Sequence, residues 1–78
     1  MRITIKLYSM LRSYLKDGEN GVGILEVSDG AKIADVAASL GIPEKIPKIT
    51  LVNGEQKSMS EPLAEGDTLS VFPPMAGG

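Results

Sequence analysis

Residues 1–8 alternate between apolar and polar. Met1, Ile3, Ile5 and Leu7 fall on one side and Arg2, Thr4, Lys6 and Tyr8 on the other, the period of a strand with one buried face. The period then changes. Met10, Leu11, Tyr14 and Leu15 share a helical face, which predicts a short helix over 9–15 with Ser9 as its N-cap, dependent on the sheet for support. Asp17-Gly18-Glu19-Asn20-Gly21 is loop chemistry. A second strand follows over 24–28, with Leu25 and Val27 inward and Asp29-Gly30 ending it. Ile33, Val36, Ala37 and Leu40 stand at i, i+3, i+4 and i+7, so 32–40 is the main helix, closed by Gly41 with Pro43 beyond. Residues 49–53 form a third strand leading into Asn53-Gly54, a strong hairpin-turn signal. A short edge strand is predicted over 55–57, where Lys57 discourages unwanted pairing, and a single helical turn at Pro62-Leu63-Ala64. Glu65-Gly66-Asp67 turns the chain into a last strand over 68–72, which Pro73-Pro74 ends because neither residue can donate to a ladder.

The order is strand, short helix, strand, helix, strand, strand, strand. One mixed sheet of four to five strands covering one main helix is the economical packing, an α+β arrangement with the first two strands antiparallel. A chain of 78 residues makes one domain. It divides into a folded body over 1–72 and a flexible tail over 73–78. A chain this short buries only roughly 60% of its unfolded surface, leaving little room for both a core and a deep catalytic cleft.

Composition narrows the chemistry by what it lacks. There is no His and no Cys, hence no imidazole acid–base group, no thiol nucleophile, no disulfide framework and none of the usual soft metal ligands. No run of carboxylates resembles a calcium loop, so no metal site is expected. Eight basic and ten acidic residues give a net charge of -2, which does not supply the electrostatic footprint of nucleic-acid binding. The alternating N-terminus lacks the continuous apolar stretch of a signal peptide, and no segment approaches the roughly 20 apolar residues of a membrane span. A cytoplasmic location is the default expectation.

The chain ends Phe72-Pro73-Pro74-Met75-Ala76-Gly77-Gly78. Two terminal glycines arise by chance in roughly one sequence in 200, so the pair alone is weak evidence and a functionless frayed end is the bland alternative. Its position adds weight. Pro73-Pro74 projects the tail from the final strand as an extended rod, and beyond Ala76 no side chain hinders passage through a narrow channel. A glycine carboxylate is the least hindered acyl group a polypeptide can present. Conversion to a mixed anhydride with AMP would supply a leaving group, and attack by a sulfur nucleophile would give a thiocarboxylate. Strand parity adds a second clue: with Leu69 and Val71 inward, Phe72 points away from the core, and the same logic puts Tyr8 and Val52 outward. These three make a candidate docking patch, against the alternative of scattered surface residues.

Residues 65–78, Leu11-Arg12 and Val52-Asn53-Gly54 together resemble the MoaD/ThiS family of sulfur carriers, and the end of the chain is similar to the small subunit of molybdopterin synthase. The resemblance covers the whole chain and implies a ubiquitin-like β-grasp fold. It implies a carrier rather than an enzyme, with no permanently bound cofactor. An E1-like enzyme would use ATP to adenylate Gly78, and a sulfur donor such as a cysteine desulfurase or rhodanese-type protein would convert it to a thiocarboxylate. Residues Pro73, Pro74, Met75, Ala76 and Gly77 would enter the partner's active site, and the acceptor would be the large subunit of molybdopterin synthase or an equivalent enzyme. The helix over 9–15 and the Phe-Pro-Pro tail favour molybdenum or tungsten cofactor synthesis over the thiamine-thiazole branch. Two features depart from the family pattern: a short link over 41–48, and Lys32 where a Thr cap is common. A ubiquitin-like modifier joined through Gly78 to substrate lysines shares the first chemical step and stands as the alternative, with an inert interaction module as the third.

Overall fold

The computed structural model describes residues 1–15 and 20–74. Five strands, β1 (Arg2–Leu7), β2 (Val22–Glu26), β3 (Ile49–Val52), β4 (Glu55–Gln56) and β5 (Thr68–Phe72), form one sheet in the order β2-β1-β5-β3-β4. β1 and β5 run parallel at the centre, and the other three pairings are antiparallel. The helix α1 (Ile33–Ser39) packs on one face, and a 3-10 helix (Ser9–Tyr14) follows β1. This is the mixed sheet with one main helix that the periodicities predict.

The core forms where the two periods meet. Ile3, Ile5 and Leu7 of β1 and Leu69 and Val71 of β5 face Ile33, Val36 and Ala37 of α1, all buried, with Leu11, Ile42 and Leu63 closing the ends. Leu25 and Val27 pack against this cluster from the edge, as their parity predicts. Burial of each large aliphatic side chain contributes about 1.5–3 kcal/mol, offset by chain entropy.

Two local features match their sequence signals. Asn53 and Gly54 adopt φ of 52° and 88°, the double positive-φ geometry of a type I′ hairpin turn between β3 and β4. Gly41, with φ 83°, ends α1.

Three expectations are corrected. Ser9 is not an N-cap: it lies within the 3-10 helix at φ 57°, the cap residue is Tyr8, and no side chain caps the turn. Of that helix's apolar residues Leu11 is fully buried while Met10 is 67% exposed, because the tighter 3-10 winding does not keep residues 10, 11, 14 and 15 on one face. Pro62-Leu63-Ala64 is not helical. Pro62 forms an isolated bridge with Lys32, and the Leu63 N–H donates to the Ala31 carbonyl at 2.8 Å. The same segment serves the start of α1, where the Ile33 and Ala34 N–H groups donate to the Glu61 and Met59 carbonyls at 3.0 and 2.9 Å. The Asp35 carboxylate accepts from the Lys32 N–H at 2.9 Å. Amides that a Thr hydroxyl would serve elsewhere thus find backbone partners here, and Lys32 stands at the cap without cost.

The third correction concerns β3. Val52 is buried, not outward, and Thr50 is buried beside it, while Ile49 and Leu51 face out. The register explains the inversion. Val52 lies opposite Leu69 and Thr50 opposite Val71, so both share the core column. Thr50 tolerates burial because its hydroxyl donates to the Lys57 carbonyl at 2.6 Å.

A polar clamp fixes that register. Asn53 donates through Nδ2 to Asp67 Oδ1 at 2.9 Å and accepts through Oδ1 from the Thr68 N–H at 3.0 Å. The second oxygen of Asp67 accepts from the Ala64 N–H at 2.8 Å, and its carbonyl accepts from the Thr4 N–H at 2.9 Å. Asp67 therefore ties the turn before β5 to the hairpin on one side and to β1 on the other, the turn chemistry expected of it.

Candidate functional site

The last described strand, β5, is central to the sheet, held by β1 on one side and β3 on the other. Leu69 and Val71 are buried, so side-chain alternation turns Phe72 to the opposite face. Pro73 and Pro74 follow, both half-buried. Met75, Ala76, Gly77 and Gly78 lie outside the described residues.

Phe72 and Tyr8 come together as the parity predicts. Their rings stack nearly parallel, with centroids 4.1 Å apart and 11° between planes. The contact arises from the register: Leu7 pairs with Val71, so the next residues of the parallel strands stand side by side. The Tyr8 N–H donates to the Val71 carbonyl at 3.2 Å, which extends the ladder one step past β1. Aromatic pairs of this kind contribute about 0.5–1.5 kcal/mol beyond area burial. Tyr8 remains 38% exposed.

On the other side Phe72 pairs with Ile49. Ile49 and Leu51, two residues apart on β3, are both half-buried on the outward face. The candidate patch is therefore Tyr8, Phe72, Ile49 and Leu51 rather than Tyr8, Phe72 and Val52. The signal for it was present: residues 49–52 read Ile-Thr-Leu-Val, with apolar residues at both parities, as befits a strand covered on both faces. Polar residues border the patch on either side of Leu51, since its cross-strand neighbours are Ser70 and Gln56 and Lys6 lies beyond Ser70. An apolar centre with a polar rim is the usual anatomy of a docking surface.

The chemistry on the rest of the surface is sparse. Among the described residues no group of three or more carboxylates is arranged to hold a metal. A shallow depression of about 390 Å³ lies between residues 26–31 and α1, lined by Glu26, Asp29 and Asp35 among others. All three carboxylates are already engaged, Glu26 with Arg2 at 3.0 Å, Asp29 with the N-terminal ammonium at 3.6 Å and Asp35 with the Lys32 N–H. The depression is at the Arg2 end of β1, whereas the tail leaves from the Leu7 end, some five residues or about 17 Å away. It has no geometric link to the tail. No helix among the described residues is long and apolar enough to cross a membrane.

The patch and the tail root are found on a fold with known counterparts. The HVO 2177 protein of Haloferax volcanii superposes with a TM-score of 0.79 at 26% identity, covering 100% of this chain and 87% of its own. SAMP1 from the same organism gives 0.75 at 24% identity, covering 100% of both chains. A molybdopterin converting factor subunit 1, so described putatively, from Pyrococcus furiosus gives 0.73 at 23% identity, covering 95% of this chain and 98% of its own. These similarities establish the ubiquitin-like β-grasp fold. No curated protein sequence matches the chain. The sequence profile of the ThiS family matches residues 13–78, which include β5, its turn and the whole tail. The chain belongs to the ThiS family.

Proposed function

We propose that the protein is a sulfur carrier whose reacting group is the carboxylate of Gly78. The observation that carries this reading is the Tyr8–Phe72 stack at the end of the central strand, directly before Pro73-Pro74-Met75-Ala76-Gly77-Gly78. It fixes the root of the tail on an apolar face, so a partner that docks there receives the last six residues in one direction. Ordering only a short segment on docking limits the entropic cost of delivering the carboxylate.

The chemistry runs in two steps. An oxygen of the Gly78 carboxylate attacks the α-phosphorus of ATP on an E1-like adenylating enzyme, and pyrophosphate leaves. In the second step the terminal sulfur of a persulfide on a cysteine desulfurase or rhodanese-type donor attacks the acyl carbon, and AMP departs with the C–O electron pair. A thiol then cleaves the resulting acyl disulfide, leaving a thiocarboxylate on Gly78 and a disulfide between that thiol and the donor. The carrier supplies no acid or base, which suits a chain without His or Cys. The thiocarboxylate sulfur is donated in molybdenum or tungsten cofactor synthesis, with the large subunit of a molybdopterin synthase as acceptor. The Pyrococcus neighbour, described as a converting-factor subunit, supports that branch. Pro73 and Pro74 aim the tail, and Met75, Ala76 and Gly77 thread the partner's channel. ATP is used on the activating enzyme and is not retained, and the reaction belongs in the cytoplasm where ATP is available.

The likeness to SAMP1 and to the small archaeal modifier protein 1 of Haloferax volcanii supports a second reading, in which the same adenylate is passed to substrate lysines. Thiamine-thiazole synthesis is the other destination open to a ThiS-family carrier. Intact mass after incubation with an E1-like enzyme, ATP and a sulfur source decides the matter. The expected result is a gain equal to replacing one oxygen by sulfur, localised to Gly78 and absent from Gly78→Ala. An unmodified chain, with the enzyme active on another carrier, would overturn the proposal. Isopeptide-linked adducts through Gly78 would establish the modifier instead.

A further inference from the structure

The edge strand β2 carries features that neither tail chemistry nor the core requires. Val22 and Ile24 are 43% and 66% exposed on the outward face, and among the described residues β2 pairs with β1 alone. The phase of the ladder follows from two bonds: the Leu7 N–H donates to the Gly21 carbonyl at 2.7 Å and the Val27 N–H to the Met1 carbonyl at 2.8 Å. In an antiparallel pair such bonded positions recur every second residue, so Gly21, Gly23, Leu25 and Val27 spend their backbone groups on β1. The N–H and C=O groups of Val22, Ile24 and Glu26 consequently point to the open edge. The opposite edge, β4, is two residues long and bears Glu55 and Gln56, with Lys57 next to them. Short length and charge are devices that block edge pairing, and β2 carries only the single charge of Glu26.

We propose that this edge pairs with the same edge of a second copy, antiparallel about a two-fold axis at Ile24. In that register Ile24 faces Ile24 of the other copy, and Val22 faces Glu26, each pair exchanging both backbone bonds. The side chains select the register. Lys6 is the β1 neighbour of Val22, and Arg2 is the β1 neighbour of Glu26 and bonds it at 3.0 Å. Across the joint a row therefore reads Lys6, Val22, then Glu26 and Arg2 of the second copy, so the acid meets apolar Val22, keeps its own Arg2 and has Lys6 one strand beyond Val22. A parallel in-register pairing would instead set Glu26 beside Glu26, a like-charge contact. The two-fold operator sends the Leu7 ends of the two β1 strands in opposite directions, so both tails leave from opposite ends of a continuous sheet and remain free. A five-residue strand edge covers much less than the roughly 1,200 Å² of a stable interface, so the dimer is weak and concentration-dependent.

The test uses the full chain. Sedimentation velocity from low micromolar to millimolar concentration should show a monomer–dimer equilibrium, which Ile24→Lys should weaken by about tenfold through like-charge opposition and loss of the Ile24 contact. Ile24 is exposed, so circular dichroism should show an unchanged fold. Amide hydrogen exchange on the unmodified chain gives a readout independent of any variant. The Val22, Ile24 and Glu26 amides should gain protection with concentration, while Gly54 should not. A single monomeric species throughout, a dimer indifferent to Ile24→Lys, or concentration-dependent protection confined to Phe72 and Ile49 would each overturn the proposal.

Discussion

Gly21 and Gly54 share a backbone conformation but not an environment, and replacing each with Ala separates strain from steric conflict. Their φ values are 80° and 88°. At Gly54 a Cβ would meet nothing within 4 Å. At Gly21 it would lie well inside contact with the Leu7 carbonyl oxygen, and 2.6 and 2.8 Å from Cγ and Cδ of Arg12. The Arg12 stem can swing away cheaply. The Leu7 carbonyl cannot, because Leu7 is fully buried at the end of β1 and its N–H donates to the Gly21 carbonyl at 2.7 Å.

Left-handed backbone costs an L residue about 1–2 kcal/mol, and the stiffer unfolded chain returns about 0.4–1 kcal/mol of that. Gly54→Ala should therefore lose about 1 kcal/mol or less. Gly21→Ala adds a displaced strand end and a broken backbone bond, together about 2 kcal/mol more. In a domain of this size each kcal/mol moves the midpoint about 4–8 °C, so the two variants should melt about 8–16 °C apart. Thermal and urea denaturation followed by circular dichroism measures this directly. Midpoints within about 2 °C of each other would refute the reasoning, since they would mean that the Leu7–Gly21 closure relaxes freely.

Other substitutions test the site and its support. Val52→Ala should cost about 1–3 kcal/mol in urea denaturation yet leave partner affinity of the folded protein unchanged, whereas Leu51→Ser should do the reverse, with stability within about 0.5 kcal/mol and weaker binding by calorimetry. Asp67→Ala and Asn53→Ala should each lose about 1–2 kcal/mol, and the double variant less than their sum, because they share one hydrogen bond; a double-mutant cycle reads the difference. Phe72→Ala should leave the circular dichroism spectrum intact and slow adenylation of Gly78, measured as pyrophosphate release. An unchanged rate would remove the stack from the delivery of the tail.

Most of the fold was legible because each element carried a single clear period. β1 and α1 show one apolar face each, and the Asn53-Gly54 and Gly41 signals are local to the backbone. The errors fall where the deciding partner is distant in sequence. The parity of β3 is set by pairing with β5, seventeen or more residues away, and by the Asn53–Asp67 clamp, while its own residues suit either face. Pro62-Leu63-Ala64 is drawn out of a helical turn by its pairing with residues 31 and 32, some thirty positions back, where the Leu63 N–H finds the Ala31 carbonyl and Pro62 bridges Lys32. Ser9 fails as a cap because the chain leaves β1 through a positive φ at that residue, which a hydroxyl pattern cannot foretell.

The part of the site that was legible depends on a similar distinction. Phe72 could be placed outward from Leu69 and Val71 alone, since parity within one strand is local. Its stacking on Tyr8 required β1 and β5 to be parallel neighbours, a property of topology. That topology also explains why the tail root suits delivery of a reacting end. A C-terminal strand at a sheet edge would be held by one ladder and would fray with its tail. β5 is held by two, and its last residue pairs with Ile49 on one side while stacking on Tyr8 at the other. Past Phe72, the rings of Pro73 and Pro74 restrict backbone rotation and their missing N–H groups prevent the ladder from extending. For the proposed sulfur carrier, a root held on both sides would serve its function if the same six residues must enter more than one partner.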